Sequence, residues 1–182
     1  MRSDEVRSAA TATSTPRFGR GEFIVYLDVD GVVHPEDTKT RLKTGAYIAS
    51  PPGHMLFEHV PLLEQLLAPY PSVKIVLSTS WVRVYRYSRV VKRFPQSLRA
   101  RMIGATYHRA MDENAFLSLS RGQQVWSDVV RRRPRDWIAL DDDCDWPEWC
   151  RSHHIPTHPV LGISEPSVRA EVERRLQAWS DR

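Results

Sequence analysis

Phe23-Ile-Val-Tyr-Leu27 is an unbroken run of β-prone apolar residues that stops at Asp28-Val-Asp-Gly31. A strand with one wet face alternates apolar and polar residues, whereas a continuous run marks a strand covered on both faces, as in a parallel sheet. Asp28 and Asp30 stand two positions apart, so in an extended chain they lie on one side. Gly31 permits the turn that aims them both. A packed core does not explain an acidic pair at the end of a buried strand.

The same pattern recurs along the chain. Val73 to Leu77 runs into Ser78-Thr-Ser-Trp81, and Trp137-Ile-Ala-Leu140 runs into Asp141-Asp-Asp143. Met102 to Ala105 and His154 to Thr157 read as two further short strands. Between them, Val60, Leu63 and Leu67 recur at helical spacing behind Pro61, and Pro69 and Pro71 end that helix. Val84, Tyr87, Val91 and Phe94 fall on one helical face with Arg83, Arg86, Arg89 and Arg93 opposite. Val125 to Val130 lies in a helix closed by basic residues and Pro134, and a last helix from Glu165 to Trp179 has a core face of Val168, Val172, Leu176 and Trp179. Alternating strands and helices predict a three-layer, Rossmann-like α/β fold: a parallel sheet with helices on both faces, joined by right-handed crossovers. Ligands of such sheets bind at the carboxyl ends of the strands, where Asp28, Asp30, Ser78, Thr79, Asp141 and Asp142 all sit.

The chain has 182 residues, and at about 150 residues per domain this predicts one domain. Residues 1–21, rich in Ser, Thr, Ala and Arg without periodicity, read as a flexible tail, and 22–182 as the folded domain. No apolar run approaches the roughly 20 residues of a membrane span, and the first 22 residues carry charge where a signal peptide needs an apolar stretch, so the expected compartment is the cytoplasm. Cys144 and Cys150 are expected as reduced thiols. The net charge of +4 is unevenly distributed. Arg83 to Arg135 holds thirteen Lys or Arg against Asp112, Glu113 and Asp128, whereas Asp136 to Glu148 holds six acids and no base. A basic surface beside a concentrated acidic site suits an enzyme that acts on an anion through a metal.

If the two acidic strand ends are neighbours within about 5 Å, each like-charged pair costs roughly 3 kcal/mol at an effective dielectric of about 20. Several such pairs threaten a domain whose whole stability is about 5–15 kcal/mol, so the site needs a cation. All-oxygen ligands point to Mg2+. An Asp at a rigid strand end beside a metal can attack phosphorus, giving an aspartyl-phosphate that water hydrolyses. The Asp two residues on can protonate the leaving group and then activate that water. Ser78 supplies a hydroxyl for the phosphoryl oxygens. Asp143 and Asp145 read as loop or cap residues. Cys144, Cys150, His153, His154 and His158 are zinc-competent, but their spacing matches no common finger, and Trp146, Pro147 and Trp149 among them indicate packing.

Phe23-Ile-Val-Tyr-Leu-Asp-Val-Asp-Gly-Val-Val-His34, Ile75-Val-Leu-Ser-Thr-Ser-Trp81 and Trp137-Ile-Ala-Leu-Asp-Asp-Asp143 resemble, in order, the motif series of the haloacid dehalogenase (HAD) superfamily of phosphohydrolases. Within it the chain is most similar to the small HAD domains of bacterial Swiss Army Knife RNA-repair proteins, over about Glu22 to Trp179. The resemblance implies Asp28 as nucleophile, Asp30 as general acid and base, and Ser78 as the second-motif hydroxyl. It also implies Mg2+ held by the Asp28 carboxylate, the Asp30 backbone carbonyl and the pair Asp141 and Asp142. The third motif departs from the family, which usually has Lys: after Ser78 the only lysine is Lys92, too early in the order. Arg121 is the candidate in its place, with the charge and the bidentate grip that phosphate requires. Gly31, His34 and Thr79 are expected at the substrate, His34 alternatively at the acid-base Asp or packing a flap.

Only about 26 residues separate Gly31 from the first helix, too few for a large cap, so the resemblance implies an essentially capless domain with a flap near Thr38 to Pro52. An open site suits a bulky phosphorylated substrate, a nucleic-acid end or a nucleotide, and the arginine face suits a nucleic-acid backbone. The competing reading is a non-catalytic nucleic-acid-binding module that retains the fold. Clustered anions beside phosphate argue against it. A phosphoacceptor receiver domain would place its acidic pair after the first strand and its acceptor Asp after the third, which is the wrong order.

Overall fold

A computed structural model describes residues 19–42 and 45–181. Strands β1 (Phe23–Leu27), β4 (Lys74–Leu77), β5 (Met102–Ala105), β6 (Asp136–Asp141) and β7 (His154–Pro156) form one parallel sheet in the order β5-β4-β1-β6-β7. The helices are α1 (Val60–Leu67), α2 (Trp81–Tyr85), α3 (Tyr87–Val91), α4 (Gln96–Arg99), α5 (Glu113–Leu117), α6 (Arg121–Arg132), α7 (Glu148–Arg151) and α8 (Pro166–Ser180). β2 (Thr38–Arg41) and β3 (Gly45–Ile48) pair as a separate antiparallel hairpin. It lies where a flap is expected and is the only strand or helix between β1 and α1 among the described residues, so no large cap covers the sheet edge.

The apolar runs sort themselves by the two-residue period of a strand. Val25, Leu27, Ile75, Leu77, Ile138 and Leu140 face the larger core, shared with α1, α4 and α8. Ile24, Tyr26, Val76, Trp137 and Ala139 face a smaller one closed by Val125 and Val129 of α6, with Trp146 and Cys150. This two-sided cover is why the strands read as continuous apolar runs. On α8, Val168, Val172, Leu176 and Trp179 are all buried, as their spacing predicts.

β1 is the switch point, flanked by β4 on one side and β6 on the other. Leu27 is in register with both Leu77 and Leu140. The residues that follow therefore leave the sheet side by side: the Asp28 N–H donates to the Leu140 carbonyl (3.0 Å), and the Ser78 N–H donates to the Leu27 carbonyl (2.8 Å). The register alone puts Asp28, Ser78 and Asp141 on one edge.

The single amphipathic helix expected after Trp81 is instead two short pieces. The chain breaks at Arg86, whose φ of 68° is left-handed. Phase is lost there: Val84 is 61% exposed, Val90 fills the core instead, and the four arginines do not form one row. Arg83 pairs with Glu113 at 2.9 Å, while Arg93 lies over the Phe57 and Trp81 rings. Of the stretch assigned to a tail, residues 1–18 lie outside the described residues. Gly19 to Gly21 form a turn held by the Gly21 N–H on the Arg133 carbonyl.

Candidate active site

Asp28 is buried at the end of β1. Its Oδ1 accepts from the Val29 N–H (2.7 Å) and its Oδ2 from Arg121 Nη2 (3.2 Å). Burial pushes the Asp28 carboxyl upward, opposed chiefly by the Arg121 guanidinium. Asp141, deeper still, is pushed well above the ordinary carboxylate range by burial and by the charge of Asp28. Asp142 rises to about 7 through burial, the Asp28 charge and a hydrogen bond with the Glu36 carboxyl.

One carboxylate oxygen each from Asp28, Asp141 and Asp142 lie within 4.8 Å of one another. Asp141 Oδ2 is buried and accepts no hydrogen bond. Three hard oxygen donors, one of them buried without a hydrogen bond and all with ionisation pushed upward, fit a small divalent cation such as Mg2+. The side chain of Asp30 is outside this cluster, which leaves its backbone carbonyl as the atom the HAD resemblance assigns to the metal. Asp136, counted with the acidic stretch, is at the opposite end of β6, where its carboxylate accepts from Trp179 Nε1.

Gly31 explains how Asp142 comes so close. Its φ is +65°, and a Cβ there would lie 2.2 Å from Asp142 Cγ. Its carbonyl accepts from the Thr157 hydroxyl (2.7 Å). Gly31 thus makes room for the close approach of Asp142.

Arg121 is the first residue of α6. The Ser120 hydroxyl accepts from the Gln123 N–H, and the Gln123 side chain accepts from the Ser120 N–H, a reciprocal cap that fixes the start of the helix. Gly122 lets that end press against Pro147 and Trp146, where a Cβ would meet Pro147 Cδ at 2.5 Å. So held, Arg121 places Nη2 3.2 Å from Asp28 Oδ2 and Nε 3.2 Å from Asp141 Oδ2.

Asp30 is gripped independently. Its Oδ1 accepts from Thr38 Oγ1 (2.9 Å), from Trp81 Nε1 (2.9 Å) and from His34 Nε2 (3.0 Å). The tautomer of His34 follows from its other nitrogen: Nδ1 accepts from the Phe57 N–H (3.1 Å), so the proton of the neutral ring is on Nε2. His34 is 0% exposed and boxed by the Phe57 and Trp81 rings. Both ring nitrogens are engaged within the fold, which places His34 against Asp30, one of the positions expected of it. Asp30 Oδ2 has only the indole N–H near it (2.8 Å) and keeps a free lone pair.

Ser78 stands beside Asp28 in register, its buried Oγ without a partner. Thr79 is buried beside it, its hydroxyl oxygen accepting from the Trp81 N–H (3.3 Å). Near the fourth motif Cys150 is buried, His153 stacks on Trp137 and His154 on Trp146, whereas Cys144 and His158 are exposed, and among the described residues no cluster but the acidic one could hold a metal. Sequence reasoning did not assign Thr38, Glu36 or the Trp81 indole to the site. The Trp directly after a Ser-rich strand end was the one signal for them.

A parallel sheet whose central strand ends in Asp-Val-Asp-Gly, facing Asp-Asp from the next strand and an arginine from the preceding helix, defines a HAD domain. The family model for the HAD domain in Swiss Army Knife RNA repair proteins matches residues 24–168, and the chain belongs to that family. Comparison with curated proteins and with solved structures returns no significant match.

Proposed function

We propose that the chain is a cytoplasmic, Mg2+-dependent phosphohydrolase that cleaves phosphomonoesters through an aspartyl-phosphate on Asp28. The observation that carries the proposal is the division of labour between two carboxylates. Asp28 faces the positive side chain of Arg121, while Asp30, two residues away, is held by neutral donors, three on Oδ1 and only the Trp81 indole N–H on Oδ2. Among the described residues no helix is long and apolar enough to cross a membrane, and both cysteines are free, which suits a reducing compartment.

Asp28 attacks phosphorus in line with the ester oxygen. As that bond breaks, protonated Asp30 gives its proton from Oδ2 to the leaving oxygen. Asp30, now a carboxylate, takes a proton from water. The hydroxide so formed attacks the phosphorus of the aspartyl-phosphate, releasing inorganic phosphate and restoring Asp28. His34, Thr38 and Trp81 keep Asp30 in one orientation through both halves, and Ser78 and Arg121 offer a hydroxyl and a guanidinium to the phosphoryl oxygens. Mg2+ held by the Asp28 carboxylate, the Asp30 carbonyl and the Asp141–Asp142 pair would supply the remaining charge neutralisation. The open edge beside the hairpin suits a bulky leaving group, such as a nucleotide or nucleic-acid end.

Hydrolysis of p-nitrophenyl phosphate with Mg2+ tests the proposal. Asp28→Asn should fall to background and Asp30→Asn should retain at most slow turnover. Activity that survives Asp28→Asn sinks the assignment, and salt-sensitive oligonucleotide binding without hydrolysis would favour the non-catalytic module.

A further inference from the structure

A cavity lies outside the catalytic cluster, between the α2–α3 break and the loop from β5 to α5. It holds about 750 Å³, a volume within the usual range of ligand sites. Its walls combine two chemistries. Val82, Ala105 and the half-buried rings of Tyr87 and Tyr107 are apolar or aromatic, while Arg83, Arg86 and Arg109 are cationic against a single acid, Glu113. Glu113 is paired with Arg83, but that pair is exposed and therefore costs little to break. The left-handed turn at Arg86 separates α2 from α3 where this cavity opens.

A smaller cavity of about 210 Å³ adjoins it and is lined by Thr79, Arg121 and Asp143. Arg83 lines both spaces. Arg121 lines the smaller cavity and bonds the Asp28 carboxylate, which brings the basic groove, through the shared Arg83, near the proposed nucleophile.

We propose that this groove binds the nucleotides next to the terminal phosphate of a single-stranded nucleic acid; the inference rests on the phosphatase reading of the Asp28 site. Arginines spaced along the track suit successive phosphates, and tyrosine rings beside them suit stacked bases. An acidic peptide would use the charge but leave the aromatic wall without a partner. A duplex hides its base faces and cannot lay them on that wall.

Binding can be measured apart from catalysis in the full-length Asp28→Asn protein. A fluorescent single-stranded oligonucleotide with one terminal phosphate is titrated by anisotropy, with its duplex and an acidic peptide as comparisons. Tyr107→Ala and Arg109→Glu should each weaken the single strand about tenfold or more, and Arg174→Glu on α8 should change nothing. Arg109 is on an exposed loop, so its variant stays informative if Tyr107→Ala unfolds. The duplex should bind at least about tenfold more weakly than the strand. The groove is refuted by strand affinity unchanged in Arg109→Glu, by equal binding of the duplex, by equal displacement with the acidic peptide, or by no oligonucleotide binding at all. Wild type that fails to hydrolyse p-nitrophenyl phosphate while these binding differences hold would remove the phosphatase reading and leave the groove standing.

Discussion

Asp142→Asn should make the metal-free protein more stable while removing activity. In the fold, Asp142 ionises at about 7 instead of its ordinary 3.8 because it is partly buried, close to Asp28 and hydrogen-bonded to Glu36. The folded state therefore keeps a proton that the unfolded chain releases from about pH 4 upward. Stability falls as pH rises from about 4 to about 7 and is level beyond. A displacement from 3.8 to about 7 corresponds to at most about 4 kcal/mol. Asp142 is only part-buried, so screening reduces this to about 2 kcal/mol. Asparagine keeps the shape that Gly31 accommodates and can donate to Glu36. In EDTA at pH 8 the variant should gain about 2 kcal/mol, or about 4–8 °C in Tm, and near pH 4 nothing. Mg2+ should raise the wild-type Tm more than that of the variant. A metal-free variant less stable than wild type at pH 8, or a difference equal at both pH values, would refute the electrostatic reasoning and make Asp142 a structural acceptor.

Two further perturbations separate charge from orientation. Arg121→Ala leaves the buried carboxylates of Asp28 and Asp141 without their cation, so urea unfolding at pH 8 should show a loss of about 3–5 kcal/mol. The loss should shrink at pH 5, where carboxyls with raised ionisation are more nearly neutral. His34→Ala removes the donor to Asp30 and the acceptor of the Phe57 N–H, costing about 1–3 kcal/mol in unfolding free energy. It should lower kcat at least about tenfold with little change in KM, and His34→Gln, with an amide to offer Asp30, should recover part of it; a change confined to KM would return His34 to substrate binding.

Much of the fold was legible because β1, β4 and β6 are covered on both faces, so their apolar runs are continuous and the polar residues after them mark one sheet edge. α8 was legible because its fifteen residues carry a full apolar period. The segment after Trp81 was not. Its apolar period continues through Arg86, but α2 and α3 have five residues each, too few for periodicity to outweigh packing. There Trp81 turns its indole to Asp30 and Val90 enters the core, and the backbone accommodates both with one positive φ. His34 was ambiguous for a different reason. Its role depends on an N–H 23 residues away at Phe57, itself at a φ of 64°, and no local pattern records that contact.

The site's charge also bears on the proposed cation. With Asp28, Asp141 and Asp142 ionised and only Arg121 beside them, the cluster is net negative, and an approaching phosphate would be repelled. The fold offers two partial remedies of its own. Asp142 can hold its proton up to about pH 7, and Arg121 is shared between Asp28 and Asp141 at 3.2 Å to each. Both have a chemical drawback. An arginine engaged with the nucleophile and its neighbour has less of its fork to offer a phosphoryl group. A protonated Asp142 shares its proton with Glu36 instead of presenting an anionic oxygen. A divalent cation held there would remove the conflict, since it would neutralise the three oxygens together and free part of the Arg121 guanidinium for the phosphoryl oxygens. The buried Asp141 Oδ2, ion-paired to Arg121 but accepting no hydrogen bond, and the three crowded carboxylates are therefore parts of one arrangement: a buried anionic pocket that arginine alone only half compensates.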